Sequence, residues 1–192
     1  MNVTARIISN WDNALSAARF TVGKETPEGK MPSFDWKMKM CRAEHSPIRE
    51  VIYHVECHGM PWRALWHLVR HHEGLEKFVY TSRPDRREKT TTDLYDVKFT
   101  INAQAVIQIS RSRTCNKAWS ETIDVWKAIL AAINDIDPSV PSWCAPKCVW
   151  YGACPEPKCC GFIKSQEYRD WRGRFLSNFE NVAEQCLSAN SF

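Results

Sequence analysis

The sequence predicts an α/β chain of the α+β kind, a mixed sheet packed with helices in a single domain. Three observations carry that expectation. Residues 48–57 and 95–101 read as strands, the second alternating apolar and polar residues as a half-buried strand does. Residues 103–135 hold the longest helical pattern, with Trp119, Ile123, Trp126, Leu130 and Ile133 spaced by fours and threes. No linker rich in glycine, serine or proline divides the 192 residues, which suffice for one real core.

Taken in order, residues 10–22 predict a first helix capped by Asn10, with Leu15, Ala18 and Val22 on one stripe. Pro27, Gly29 and Pro32 mark a loop, after which 36–43 form a short helix leading into Glu44-His45-Ser46-Pro47. His45 and Ser46 suit a turn and cap, or a ligand. The strand 48–57 is expected to break at His58-Gly59. Pro61 then opens a helix whose Trp62, Leu65, Trp66 and Val69 fall at core spacing, and Arg70-His71-His72 end it. Lys77-Phe78-Val79-Tyr80 is β-prone. Cations, imidazoles and hydroxyls from Arg70 to Arg87 thus collect where a helix hands over to an extended segment, a setting that suits an anionic ligand or, alternatively, a solvated basic loop.

In the 103–135 helix, Gln104, Gln108, Arg111 and Cys115 share one face while Arg113 projects from another, which predicts a cleft wall unless that face is simply solvated. The stripe from Trp119 to Ile133 suits core or a subunit contact. Cys144, Cys148, Cys154, Cys159 and Cys160 crowd one loop-rich segment, 144–161. They could supply a zinc site, but the spacing lacks a paired C-x-x-C and favours buried or loop thiols, so no metal is assigned. Residues 167–187 predict a closing helix with Trp171, Phe175, Phe179, Val182 and Cys186 on its apolar stripe.

A net charge of +4 is too small to make nucleic acid the leading partner. No apolar run reaches membrane-span length, and Met1 to Arg6 lack a signal-peptide core, so a cytoplasmic location is expected, consistent with an odd count of nine cysteines.

Three segments together resemble the flavin-dependent thymidylate synthases, the ThyX family. The likeness runs from about residue 45 to 121. His45-Ser46-Pro47 precedes a strand and a helix; Arg70-His71-His72 and Thr81-Ser82-Arg83 follow in the family's order. Asn102-Ala103-Gln104 opens the long helix, with Arg113 eleven positions after Asn102 and Glu121 beyond. His72 and Gln104 stand where the family has arginines, His67 where it has glutamine, and Lys117 where some members have histidine.

The resemblance implies a homotetramer that binds FAD between subunits and methylates dUMP to dTMP, with methylenetetrahydrofolate as carbon donor and NADPH as reductant. It assigns Ser46, Arg70, His71, His72, Asn102, Gln104 and Gln108 to the cofactor. It assigns His67, Arg70, Thr81, Ser82, Arg83, Arg86, Arg87 and Arg113 to the nucleotide, with Arg113 as the catalytic residue that activates the uracil ring. Alternatives are a relative that methylates or hydroxymethylates another pyrimidine nucleotide, and a non-enzymatic nucleic-acid or zinc-binding protein.

Overall fold

A computed structural model describes residues 1–81, 83, 85 and 94–188, with side chains described as far as 180. Its centre is a four-stranded sheet of β1 (Asn2–Ser9), β2 (Ile52–Pro61), β3 (Leu75–Val79) and β4 (Leu94–Asn102), ordered β1-β2-β4-β3. Every pairing is antiparallel, so the sheet is not mixed although the fold class is α+β as expected. The register places Tyr53 beside Ile101, Val55 beside Phe99 and Cys57 beside Val97, all buried on one face. The other face is polar, with Lys98 3.4 Å from Glu56 and Arg6 bonded to His54 at 3.1 Å. This alternation is what a sheet wetted on one side requires.

Strand β1, which the sequence reading left unassigned, lies at an edge with Val3, Ala5 and Ile7 turned to the core. Strand β2 does not break at His58-Gly59. Gly59, at φ +76°, takes up a register shift between Cys57 and Met60, and its amide is caught by Asp96 Oδ1 at 3.0 Å, so the strand continues through a bulge.

Helices α1 (Trp11–Phe20) and α2 (Phe34–Ala43) are capped by Asn10 and Ser33. Trp11, Ala14 and Leu15 form the buried face of α1, whereas Val22 lies beyond the helix and is exposed. A 3-10 turn, Ser46–Glu50, occupies the start of the expected strand. Helix α3 (Trp62–Leu68) is shorter than expected: Arg70 follows in a turn, and His71 and His72 lie in the loop. Ala64, Leu65 and Leu68 are its buried residues, while Trp62 is half-exposed and Trp66 is 60% exposed. Of the stripe expected to be core, Leu65 is buried and Val69 packs against the core, whereas the two tryptophans are surface.

The predicted 103–135 helix is two helices, α4 (Ala103–Arg113) and α5 (Ser120–Asn134). Thr114 caps α4 with both its amide and its Oγ1 donating to the Ser110 carbonyl, at 3.0 and 2.6 Å, and Cys115 to Ala118 make a tight turn. Trp126 Nε1 reaches back to Ser110 Oγ at 2.8 Å and pins α5 to α4. Of the expected stripe, Trp126 and Ile133 are buried, joined by Thr122, Val125 and Ile129, while Trp119 is exposed. After the short α6 (Lys147–Tyr151), the longest helix is α7 (Gln166–Ser188). Phe175 and Phe179 pack edge-on against Trp143 and Trp150 with ring centroids 4.9–6.2 Å apart, which docks α7 as expected. The Val182 and Cys186 side chains lie outside the described residues. Among the described residues, no helix is long and apolar enough to cross a membrane.

Candidate active site

Residues 70–74 run along α4, touching both of its ends. At the C-terminal end, Arg113 Nε donates to His71 Nε2 at 2.9 Å and its Nη2 to the His67 carbonyl at 2.8 Å. No carboxylate pairs with Arg113 among the described residues. The pairing arginine is instead Arg111, which bonds Glu44 and lies over the Trp150 ring at 4.4 Å. Because His71 Nε2 accepts, its ring is the neutral tautomer with hydrogen on Nδ1. Burial, and then the charges of Arg113, Lys77 and His72, push its pKa down to about 4, so it stays neutral at working pH. Burial followed by Arg113 and Arg70 also lowers His67. Its Nδ1 shares a hydrogen with Thr122 Oγ1 at 2.9 Å, so α5 holds the ring that the resemblance aimed at a nucleotide. Lys77 braces the loop through the His71 and Val69 carbonyls and sits 3.4 Å from His72 Nδ1. Arg70 is exposed and has no hydrogen-bond or ion-pair partner among the described residues.

At the N-terminal end of α4, Asn102 Oδ1 accepts the Ala105 amide at 2.9 Å and Asn102 N donates to the Gly74 carbonyl at 3.0 Å. Gly74 has φ +68°, and a Cβ there would fall 2.5 Å from Asn102 Nδ2. Glycine is thus needed both for the backbone and for the space the capping side chain fills. Asn102, which the resemblance assigns to the cofactor, has its side-chain oxygen engaged in the cap, which leaves its amide nitrogen and the surrounding backbone. Here a cavity of about 480 Å³ is lined by Asn102, Gln104, Gln108, Glu73, Gly74 and Arg49.

Arg49, which the sequence reading did not assign, donates through Nε to Gln104 Oε1. It brings a cation to the position where glutamine replaces the family's arginine. The one local signal was its place three residues after Ser46, on the same turn. Ser46 itself is exposed at the start of that turn and does not line the cavity.

Arg83 closes a two-bond pair with Asp85 at 2.9 and 2.7 Å, and its amide donates to Thr81 Oγ1 at 3.2 Å. An anion at Arg83 would have to displace that carboxylate. Ser82, Arg86 and Arg87 lie outside the described residues. Tyr80 N bonds the Asp96 carbonyl, whereas Asn102 closes the other end of β4, so the Thr81 and Asn102 groups stand about 20 Å apart along the strand at ~3.3 Å per residue. One chain therefore does not bring them together.

The cysteines divide by environment. Cys144 and Cys148 are buried, and burial pushes the Cys144 thiol up to about 12. Among the described residues, no three His, Cys, Asp or Glu side chains are arranged to hold a metal ion.

No family model matches the sequence, and no curated protein matches it. Solved structures do match. The flavin-dependent thymidylate synthase ThyX of Helicobacter pylori, complexed with FAD and dUMP, superposes with a TM-score of 0.59 at 17% identity, covering 76% of this chain and 100% of that one. A second structure of the Helicobacter pylori enzyme with FAD and dUMP gives 0.54 at 18% identity, over 69% of this chain and 93% of that one. The UMP/dUMP methylase PolB of Streptomyces cacaoi, bound with 5-Br dUMP, gives 0.57 at 13%, over 74% and 94%. The fold is that of the ThyX proteins.

Proposed function

We propose that this protein is a flavin-dependent enzyme that methylates a pyrimidine nucleotide, with dUMP the substrate and thymidylate synthesis the reaction. The observation that carries the reading is Arg113: a half-buried guanidinium, held by two neutral acceptors and, among the described residues, paired with no carboxylate, on a fold shared with dUMP-binding enzymes. A fixed cation of this kind stabilises negative charge that develops on a uracil ring, and its planar fork suits the ring's edge. His71, kept neutral, orients the guanidinium without cancelling its charge.

The 480 Å³ cavity fits part of a dinucleotide: Arg49 would meet the diphosphate, with Gln104, Gln108 and the Asn102 amide as neutral donors. FAD bound there, reduced by NADPH, would supply the redox chemistry for transfer of the carbon of methylenetetrahydrofolate. The separation of the Thr81 and Asn102 groups supports a site completed by neighbouring subunits, hence a homotetramer. Exposed Trp62, Trp66 and Trp119, two of them beneath Arg63 at 5.6 and 5.1 Å, offer an apolar face for that assembly.

Two further readings have an observation each. PolB matches about as well as the thymidylate synthases, which favours a relative acting on another pyrimidine nucleotide. The exposure of Trp62 and Trp66 favours single-strand binding by stacking. The purified protein is expected to be yellow, to bind FAD as an oligomer by light scattering, and to convert dUMP to dTMP with methylenetetrahydrofolate and NADPH. Colourless protein that ignores FAD and dUMP but quenches its tryptophan fluorescence with oligonucleotide would replace this reading with the last one.

A further inference from the structure

Lys77 stands on β3 opposite Phe99 of β4, two residues after the buried Leu75 and on the same face of its strand. A lysine on an edge strand ordinarily sends its ammonium into water. This one folds back over the loop that follows α3, donating to the Val69 carbonyl at 3.4 Å, to the His71 carbonyl and to His72 Nδ1 at 3.4 Å. Three acceptors match the three N–H bonds of an ammonium. All three are neutral, and no carboxylate pairs with Lys77 among the described residues. Its donors are committed to the loop, so Lys77 acts on the site through other groups.

Those groups are the ones that hold Arg113. The C-terminal end of α3 leaves carbonyls without helical partners and carries the negative end of the helix dipole. Two cations answer it from different elements: Arg113 on α4 takes the His67 carbonyl, and Lys77 on β3 takes those of Val69 and His71. An ammonium only donates, so His72 Nδ1 accepts and that ring carries its hydrogen on Nε2. His71 is the reverse, because its Nε2 accepts from Arg113 and its hydrogen sits on Nδ1. Two adjacent imidazoles are thus held in opposite tautomers. The charged and titratable groups that depress the His71 pKa, after burial itself, are Arg113 on α4, Lys77 on β3 and the neighbouring His72.

We propose that Lys77 is a positioning residue for Arg113: it pins the loop backbone on both sides of Arg70 so that His71 presents a neutral Nε2 to the guanidinium, and it fixes His72 in the opposite tautomer. The link from Arg113 to turnover rests on the proposed function; the tautomers and the loop geometry do not. A lysine that only stapled the loop would leave the protonation of these rings unchanged when replaced.

The test is nitrogen NMR of the full chain labelled with 15N-histidine, assigned with His71→Gln and His72→Gln. At neutral pH the parent should show hydrogen on Nδ1 of His71 and on Nε2 of His72. In Lys77→Met, His72 should relax to a mixture of tautomers, and the His71 midpoint should rise from about 4 toward the ordinary value of about 6.5. The acid limb of dUMP turnover should move up with it, and turnover at neutral pH should fall by about tenfold, the scale of a small misplacement of a reacting group. Lys77→Arg, which restores charge and donors, should recover most of both. Hydrogen on Nδ1 of His72 in the parent would overturn the proposal, and so would Lys77→Met with the parent's tautomers and His71 midpoint. Should Lys77→Met fail to fold, the parent spectrum together with the His71 midpoint in Lys77→Gln decides. A parent without dUMP turnover but with the expected imidazole responses would strike the proposed function and uphold the role of Lys77 in holding Arg113.

Discussion

Two charged groups in this molecule are built in opposite ways. Asp137, 3% exposed, accepts Trp11 Nε1 at 2.7 Å and Tyr53 OH at 2.6 Å on one oxygen, and the amide and hydroxyl of Ser139 on the other. Its four neutral donors come from three parts of the chain and compensate the carboxylate internally. Arg113 is held just as firmly, by His71 and the His67 carbonyl, yet no anion answers its charge among the described residues. The difference teaches where to look for function. A buried charge satisfied from within serves the fold, whereas a braced cation without its counter-charge stores electrostatic work for a ligand.

The comparison breaks first at Asp137. Asp137→Ala leaves the Trp11 and Tyr53 donors buried without an acceptor at about 1–3 kcal/mol each, so urea unfolding should show a loss of roughly 3–5 kcal/mol. A loss below about 1 kcal/mol would mean water or a shifted side chain replaces the carboxylate easily. Arg113→Lys should do the reverse: unfolding stability within about 1 kcal/mol of the parent, but nucleotide-dependent turnover down by about two orders of magnitude, because an ammonium lacks the planar fork. Parent-rate methylation of dUMP by that variant would remove Arg113 from the chemistry.

The smallest effect concerns pH and His71. Its folded pKa of about 4 lies below the ordinary value of about 6.5, so between the two the unfolded chain binds a proton that the folded chain does not. Stability should therefore fall as pH drops from about 6.5 toward 4, by roughly 1–2 kcal/mol after allowing for solvent screening at a half-buried group. His71→Gln, which keeps an acceptor for Arg113, should flatten that part of the profile. An unchanged slope would show that other groups carry it.

The parts legible in the sequence are those decided locally. Strand β4 has its alternation, α1 and α4 have their asparagine caps, and Arg113 keeps its spacing from Asn102. The α4–α5 break was hidden because apolar spacing continues in phase through Trp119, and no local pattern marks the turn at Cys115 to Ala118 that separates the two helices. Periodicity fixes which residues share a face of α3 but not which face the core receives, so Ala64 and Leu68 are buried and Trp66 is not. Arg49 and Gln104 are 55 positions apart, and no local pattern announces such a pair.

The junction at Asp137 also bears on how this chain folds in time. Its bonds to Trp11 and Tyr53 close loops of 126 and 84 residues, long closures whose entropy must be met before the contact returns anything. Such a contact belongs late on the folding path, after the β2–β4 pairing has already brought the sheet together. Weakening it then acts mainly on the rate of unfolding and hardly on the rate of folding. Trp11, Tyr53 and Asp137 thus work as a latch on an assembled domain, setting how long the protein stays folded while its folding rate is set elsewhere.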